Sequence, residues 1–224
     1  ERCHQMIDAC KATNRKLGIA YRCQYDANHL EMIRIARAKE FGELRLIEAG
    51  FGFPIGDGGW RLKKALSGGG ALVDVGIYAL QATRYITGEE PLFVVAAETK
   101  TDPVKFAEVD ETVTWQAKFP SGVLANCSTS YEAAFYGRIR VQAERGWFEL
   151  DPAFGYTGNK GRRSDGKEIA LPAGDLFTAE MDDFARCIVD DKPSKVAGEE
   201  GLRDVKIMTA IYEAARTGRA VSLS

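Results

Sequence analysis

Residues 111–150 read ETVTWQAKFPSGVLANCSTSYEAAFYGRIRVQAERGWFEL, and the period of this stretch decides the fold. In 111–119 and 123–130 apolar residues alternate with polar or small ones, the pattern of a strand with one face covered. Residues 138–143 and 147–150 are further strand candidates. Pro120-Ser121-Gly122 and Arg145-Gly146 are explicit turns. Links this short make consecutive strands run antiparallel. Residues 92–99 add a strand upstream, and 167–171 add one downstream. Two helices then follow, at 177–190 and 199–217, the second ended by Gly218, with a short tail strand at 220–223. Strands grouped together and helices grouped together predict an α+β fold, with a large open, predominantly antiparallel sheet and helices on one face. The other face is then solvated or an oligomer interface.

Towards the amino terminus the period changes. Residues 17–21 form a short apolar run expected as a buried strand. Asp26 is placed to cap a helix that runs through 30–39 and stops at Gly42. Residues 44–53 are strand-like, and a Gly- and Asp-rich loop over 54–59 leads to Trp60-Arg61-Leu62. Gly68-Gly69-Gly70 precedes a helical stretch from about Leu72 to Thr87, closed by Gly88. A loop rich in Gly, Asn and Arg is expected over 155–163. Residues 1–14 already have helical spacing with no cap before them, so the chain is expected to be a fragment of a longer polypeptide.

Composition narrows the function classes. The 224 residues are 45% apolar and 28% charged, ordinary globular values. Thirty Lys and Arg against 32 Asp and Glu leave a net charge of -2, without the basic footprint of a nucleic-acid binder. No run of about 18 apolar residues occurs, so no membrane span is expected. Five cysteines with no C-x-x-C pair suggest reduced thiols in a cytoplasmic protein, not a disulfide framework or zinc site. Two histidines, His4 and His29, leave little from which to build a Ser-His-Asp triad or a multi-His metal centre.

The stretch GFGFPIG at 50–56 imitates a dinucleotide fingerprint, but its third glycine is one residue late and Pro54 sits where the turn should feed a helix. The informative segment is WRLKKALSGGGALVDVGIYAL, residues 60–80. On a helix Asp74 and Tyr78 stand at i and i+4 and share a face among apolar neighbours. A carboxylate and a phenol there need partners if buried. The glycine triplet lets a backbone or a ligand approach closely. A tyrosine beside a cation can exchange protons. By spacing alone the same residues are more often a helix-start acid and a core phenol.

This segment resembles the signature of the Gfo/Idh/MocA family of NAD(P)-dependent oxidoreductases, in which W-R, a Gly-rich turn and D-x-G-x-[HY] follow one another. YRCQYD at 21–26, GEEP at 88–91, EEGLRDV at 199–205 and IYEAARTGR at 211–219 agree in order, so the likeness spans nearly the whole chain. Within the family the set is most similar to the glucose–fructose oxidoreductase branch.

The resemblance implies a two-domain sugar oxidoreductase. Residues 1–21 would be the last helix and strand of its Rossmann domain, and 22–224 its α+β substrate-binding and oligomerisation domain. The dinucleotide fingerprint and the E-K-P lysine would lie upstream of Glu1, leaving this polypeptide inactive by itself. Tyr78 would carry the proton of the reacting hydroxyl, and Asp74 would hold the sugar. Trp60 and Arg61 would contact NADP or NAD. Arg22 and Tyr25, just after the nucleotide-domain strand, are candidate substrate-pocket residues. Tyr131, Tyr136 and Tyr156 either line the sugar site or fill a sheet face. The basic loop 158–163 reads as a solvated turn. Family members usually pair through the open sheet face, so a homodimer is expected, with a small sugar as substrate and no metal. The alternative is a non-catalytic binding or scaffolding relative of the same fold.

Overall fold

The computed structural model describes residues 1–172 and 174–223. Nine strands form a single sheet: β1 (Leu44–Gly52), β2 (Phe93–Thr99), β3 (Thr112–Lys118), β4 (Leu124–Ser130), β5 (Tyr136–Ala143), β6 (Gly146–Leu150), β7 (Gly161–Arg163), β8 (Glu168–Ile169) and β9 (Val221–Ser222). Their spatial order is β8-β7-β6-β5-β1-β4-β3-β2-β9. The helices are α1 (Arg2–Ala12), α2 (Ala27–Arg37), α3 (Lys64–Ser67), α4 (Ile77–Thr87), α5 (Leu176–Val189) and α6 (Gly198–Thr217). This is the expected α+β architecture.

The alternation in β3 has the expected consequence. Val113, Trp115 and Ala117 are buried under the helices, while Thr114, Gln116 and Lys118 face outwards. Helix α4 packs on β1 and β4, and α6 on β2. Asp26 caps α2, its carboxylate accepting from the amides of Asn28 and His29 at 2.9 Å each. Gly88 and Gly218 end α4 and α6 in left-handed conformations.

Four local expectations are corrected. Residues 17–21 do not form a strand; only Gly18 makes a single bridge, to Ala197. The consecutive strands β4 and β5 are not neighbours, because β1 is inserted between them, parallel to β4 and antiparallel to β5. Strand order is a long-range property that local periodicity does not report. The loop over 155–163 ends in β7, which pairs with β6. The helix expected from Leu72 opens instead as a π turn, Leu72–Gly76, and becomes α-helical at Ile77.

Candidate active site

Gly70 explains how the functional helix begins. A Cβ on Gly70 would lie 2.0 Å from the Asp110 carbonyl oxygen, so only glycine allows the two backbones to meet. The Asp110 carboxylate then accepts from the amides of Gly70 and Leu72 at 2.7 Å each, and from the Tyr212 hydroxyl at 2.6 Å. The first amides of the helix are thereby satisfied by a residue remote in sequence. The π turn follows, a local irregularity often found at functional positions, and it carries Asp74.

Asp74 is partly exposed, its side chain 24% accessible. Its Oδ2 accepts from Arg61 Nε at 2.9 Å and from the Tyr131 hydroxyl at 2.7 Å. Its Oδ1 receives no donor among the described residues. Burial and the adjacent carboxylate both push the Tyr131 phenol well above its ordinary range, so Tyr131 stays a neutral donor.

Tyr78 lies half-buried at the start of α4. Its ring meets Phe51 edge-on, with centroids 5.5 Å apart, and leans on Phe154 at 5.7 Å. An aromatic row, Tyr131–Phe53–Phe51–Tyr78, connects the partner of Asp74 to Tyr78 itself. The Tyr78 hydroxyl accepts from Arg22 Nε at 3.3 Å. Burial raises the Tyr78 phenol above its ordinary value, and Arg22 opposes that rise.

The other expected site residues are placed as follows. Trp60 is exposed on a 3-10 turn, Trp60–Leu62, with the Arg61 guanidinium 4.4 Å from its ring centroid. Arg61 commits its Nε to Asp74, and its two terminal nitrogens have no partner among the described residues. Arg22 and Tyr25 share the 3-10 turn Arg22–Tyr25. Arg22 is buried against Tyr78. Tyr25 turns towards α5, donating to Asp183 at 2.9 Å beneath the Lys195 ammonium, which sits 3.7 Å from its ring centroid. Asp74, Tyr78, Trp60, Arg61 and Arg22 thus gather around one corner, with Tyr25 on its flank. Tyr131 and Tyr156 belong to the same corner, whereas Tyr136 covers Gly50 and Gly52 on the open sheet face. Asp110 escaped the sequence reading altogether, because a cap 40 residues from its amides leaves no local pattern.

The arrangement can do two things chemically. A carboxylate oxygen without a protein donor can accept hydroxyl hydrogen bonds, and a phenol beside a fixed cation can exchange a proton. No cluster of three or more His, Cys, Asp or Glu side chains able to hold a metal exists among the described residues. Nor is any helix among them long and apolar enough to cross a membrane. An exposed indole beside an arginine with uncommitted fork nitrogens, next to Gly58 and Gly59 with open space around them, fits a flat-ringed anionic ligand.

Residues 29–149 match the sequence model of the GFO/IDH/MocA C-terminal domain. D-xylose 1-dehydrogenase [NADP(+)] of Haloarcula marismortui is 30% identical over 239 residues, covering all of this chain and 64% of that protein. D-xylose 1-dehydrogenase (NADP(+)) 2 of Haloferax volcanii is also 30% identical, over 83% of this chain and 58% of its own length. The chain therefore spans about three fifths of these curated relatives. Among solved structures, aldose-aldose oxidoreductase from Caulobacter crescentus, complexed with glycerol, superposes with a TM-score of 0.93 at 42% identity, over 99% of this chain and 68% of that one.

Proposed function

The chain belongs to the GFO/IDH/MocA family of oxidoreductases, and on that premise we propose that it forms the sugar-facing part of an NAD(P)-dependent aldose oxidoreductase. The observation that carries the reading is the pairing of Asp74, its Oδ1 open to a hydroxyl, with Tyr78, whose phenol is held by Arg22. The sugars in the names of the xylose dehydrogenases and the aldose-aldose oxidoreductase support a sugar as the ligand. The length of those relatives beyond this chain is room for a nucleotide-binding lobe, without which this polypeptide would not turn over.

When bound, the nicotinamide would accept or return a hydride at the sugar carbon. Tyr78 exchanges the proton of the hydroxyl on that carbon, acting as base in oxidation and as acid in reduction. Asp74 accepts hydrogen bonds from sugar hydroxyls and fixes which carbon faces the cofactor. Tyr131 and Arg61 hold the Asp74 carboxylate oriented. Trp60 and the fork nitrogens of Arg61 would hold the cofactor's ring and phosphates. Arg22 and Tyr25 wall the substrate side. The exposed rings of Tyr156 and Phe177, 5.7 Å apart, add apolar surface at the rim.

The open sheet face carries a shallow trough of about 830 Å³ lined by Thr114, Gln116, Asn126, Ser128, Tyr136 and Arg138, among others. This face would pair two copies, and sedimentation at micromolar concentration should report a dimer; a clean monomer would remove that role. For the enzymatic reading, the full gene product should reduce NADP+ or NAD+ in the presence of aldopentoses or aldohexoses. No nicotinamide reduction with any aldose, from a folded preparation that binds the nucleotide, would overturn it.

A further inference from the structure

Arg22 is a buried cation with no carboxylate partner. It is 5% exposed, yet it makes no ion pair within 4.0 Å among the described residues. Burying an unpaired charge is costly, so such an arrangement persists where the surroundings hold it and something uses it. Here the holding is explicit. One terminal nitrogen donates to the Phe154 carbonyl at 2.8 Å, and the other to the Gly155 carbonyl at 3.1 Å. The guanidinium carbon lies 4.8 Å from the Tyr78 ring centroid and 4.6 Å from that of Tyr156. Carbonyls and rings orient the group without neutralising it. Its remaining Nε–H is aimed at the Tyr78 hydroxyl at 3.3 Å, the long end of the hydrogen-bond range.

We propose that Arg22 is a positioning residue for Tyr78: it fixes the phenol in place and lowers its affinity for the proton. This rests on the reading of Tyr78 as the proton carrier, but the coupling between the two side chains can be tested apart from it. The physical case is a competition. Burial stabilises the neutral phenol, and a fixed positive charge at hydrogen-bond distance stabilises the phenolate. Cys23 and Tyr156, which also face Tyr78, favour the neutral phenol. Glu180 on α5 also faces Arg22, beyond ion-pair distance; burial raises its carboxyl, and Arg22 and Lys195 oppose that rise. Asp74, one turn before Tyr78, is already compensated by Arg61. Among the described residues Arg22 is therefore the cation that opposes the rise of the Tyr78 phenol. Its carbonyl anchors stop the guanidinium from swinging out to pair with acids in solvent.

The test reads the ionisation of Tyr78 directly. The protein is labelled with a fluorinated tyrosine whose phenol ionises nearer neutrality, and its fluorine resonance is assigned by its loss in Tyr78→Phe. Replacing Arg22 by Met should raise the Tyr78 midpoint by about one pH unit or more, with Arg22→Lys falling between Met and wild type. The other tyrosine midpoints should stay within a few tenths of a unit, apart from that of Tyr156. An unmoved Tyr78 midpoint in folded Arg22→Met overturns the proposal. If Arg22→Met does not fold, the Arg22 Nε–H resonance is compared between wild type and Tyr78→Phe. A clear shift supports the contact, and no change overturns it. Should the midpoint move while Tyr78→Phe keeps full activity in the gene product, the coupling stands and the catalytic reading of Tyr78 falls instead.

Discussion

The helix that starts at the π turn carries two charged networks, and they differ in how completely they are satisfied. At its beginning, Asp74 keeps one carboxylate oxygen open and Tyr78 meets a cation that makes no ion pair among the described residues. Further along, Arg84 is 3% exposed and surrounded by acids: Asp204 at 2.6 Å, Glu90 at 2.5 Å and Glu200 at 3.2 Å. Asp204 is wholly buried and also accepts from Gln81 at 3.0 Å. The second network clamps α4 to α6, with the Arg84 guanidinium paired at every nitrogen. The first leaves an acceptor beside solvent and a buried guanidinium without an ion pair among the described residues. Both draw on the same residue types on the same helix. What separates a structural knot from a site is the residual hydrogen-bonding capacity and its exposure, not the presence of charge.

The largest expected effect tests the saturated end. Asp204→Ala removes an anion beside a buried guanidinium and should cost about 3–5 kcal/mol of unfolding free energy in urea denaturation. A loss below about 1 kcal/mol would mean that Glu90 and Glu200 take over the charge, and the contrast with the open corner would collapse. At the open end the effects should move to kinetics. Tyr78→Phe should lower turnover of the gene product by ~10²-fold, while the urea midpoint barely moves; an unchanged rate removes Tyr78 from the chemistry. Asp74→Ala should raise the KM for sugar about tenfold with a smaller change in kcat, as expected for lost binding hydrogen bonds. An unaltered KM would assign Asp74 to holding Arg61 and Tyr131 only.

The smallest effect concerns a satisfied acid on β6, inside the sheet. Burial alone would raise the Glu149 carboxyl, but the guanidiniums of Arg162 and Arg140, at 2.5 and 2.6 Å, outweigh it and hold the carboxyl below its ordinary value of 4.5. A carboxylate lowered in the folded state contributes stability above its unfolded value, and loses it as pH falls through the folded one. Acidification below 4.5 should therefore remove up to about 1 kcal/mol that Glu149→Gln does not lose. Identical acid profiles for the two proteins would mean that the two arginines add nothing measurable.

Much of the fold was legible because strand and helix periods are local. The alternation in 111–119, the Asp26 cap and the terminators Gly88 and Gly218 each depend on a few consecutive residues, and each appears where expected. The corner itself was legible only as a spacing, Asp74 and Tyr78 one turn apart behind a glycine triplet. The pairings within it were not. Arg22 and Tyr131 were legible as candidate pocket residues but not as the partners of Tyr78 and Asp74, and Asp110 was not legible at all; the three reach the helix from 38 or more residues away, a separation that leaves no local pattern of pairing.

Composition, periodicity and turn residues by themselves determined an α+β chain with one covered sheet face and an acid–phenol pair on a glycine-led helix, because these follow from which side chains can be buried within a few residues of one another. Tertiary structure alone decided that β1 enters between β4 and β5, that the helix opens with a π turn capped by Asp110, and that Arg22 rather than an acid meets Tyr78. Those outcomes depend on which distant backbones approach, and on where burial leaves a charge or a lone pair unmatched, quantities that exist only once the chain has closed on itself.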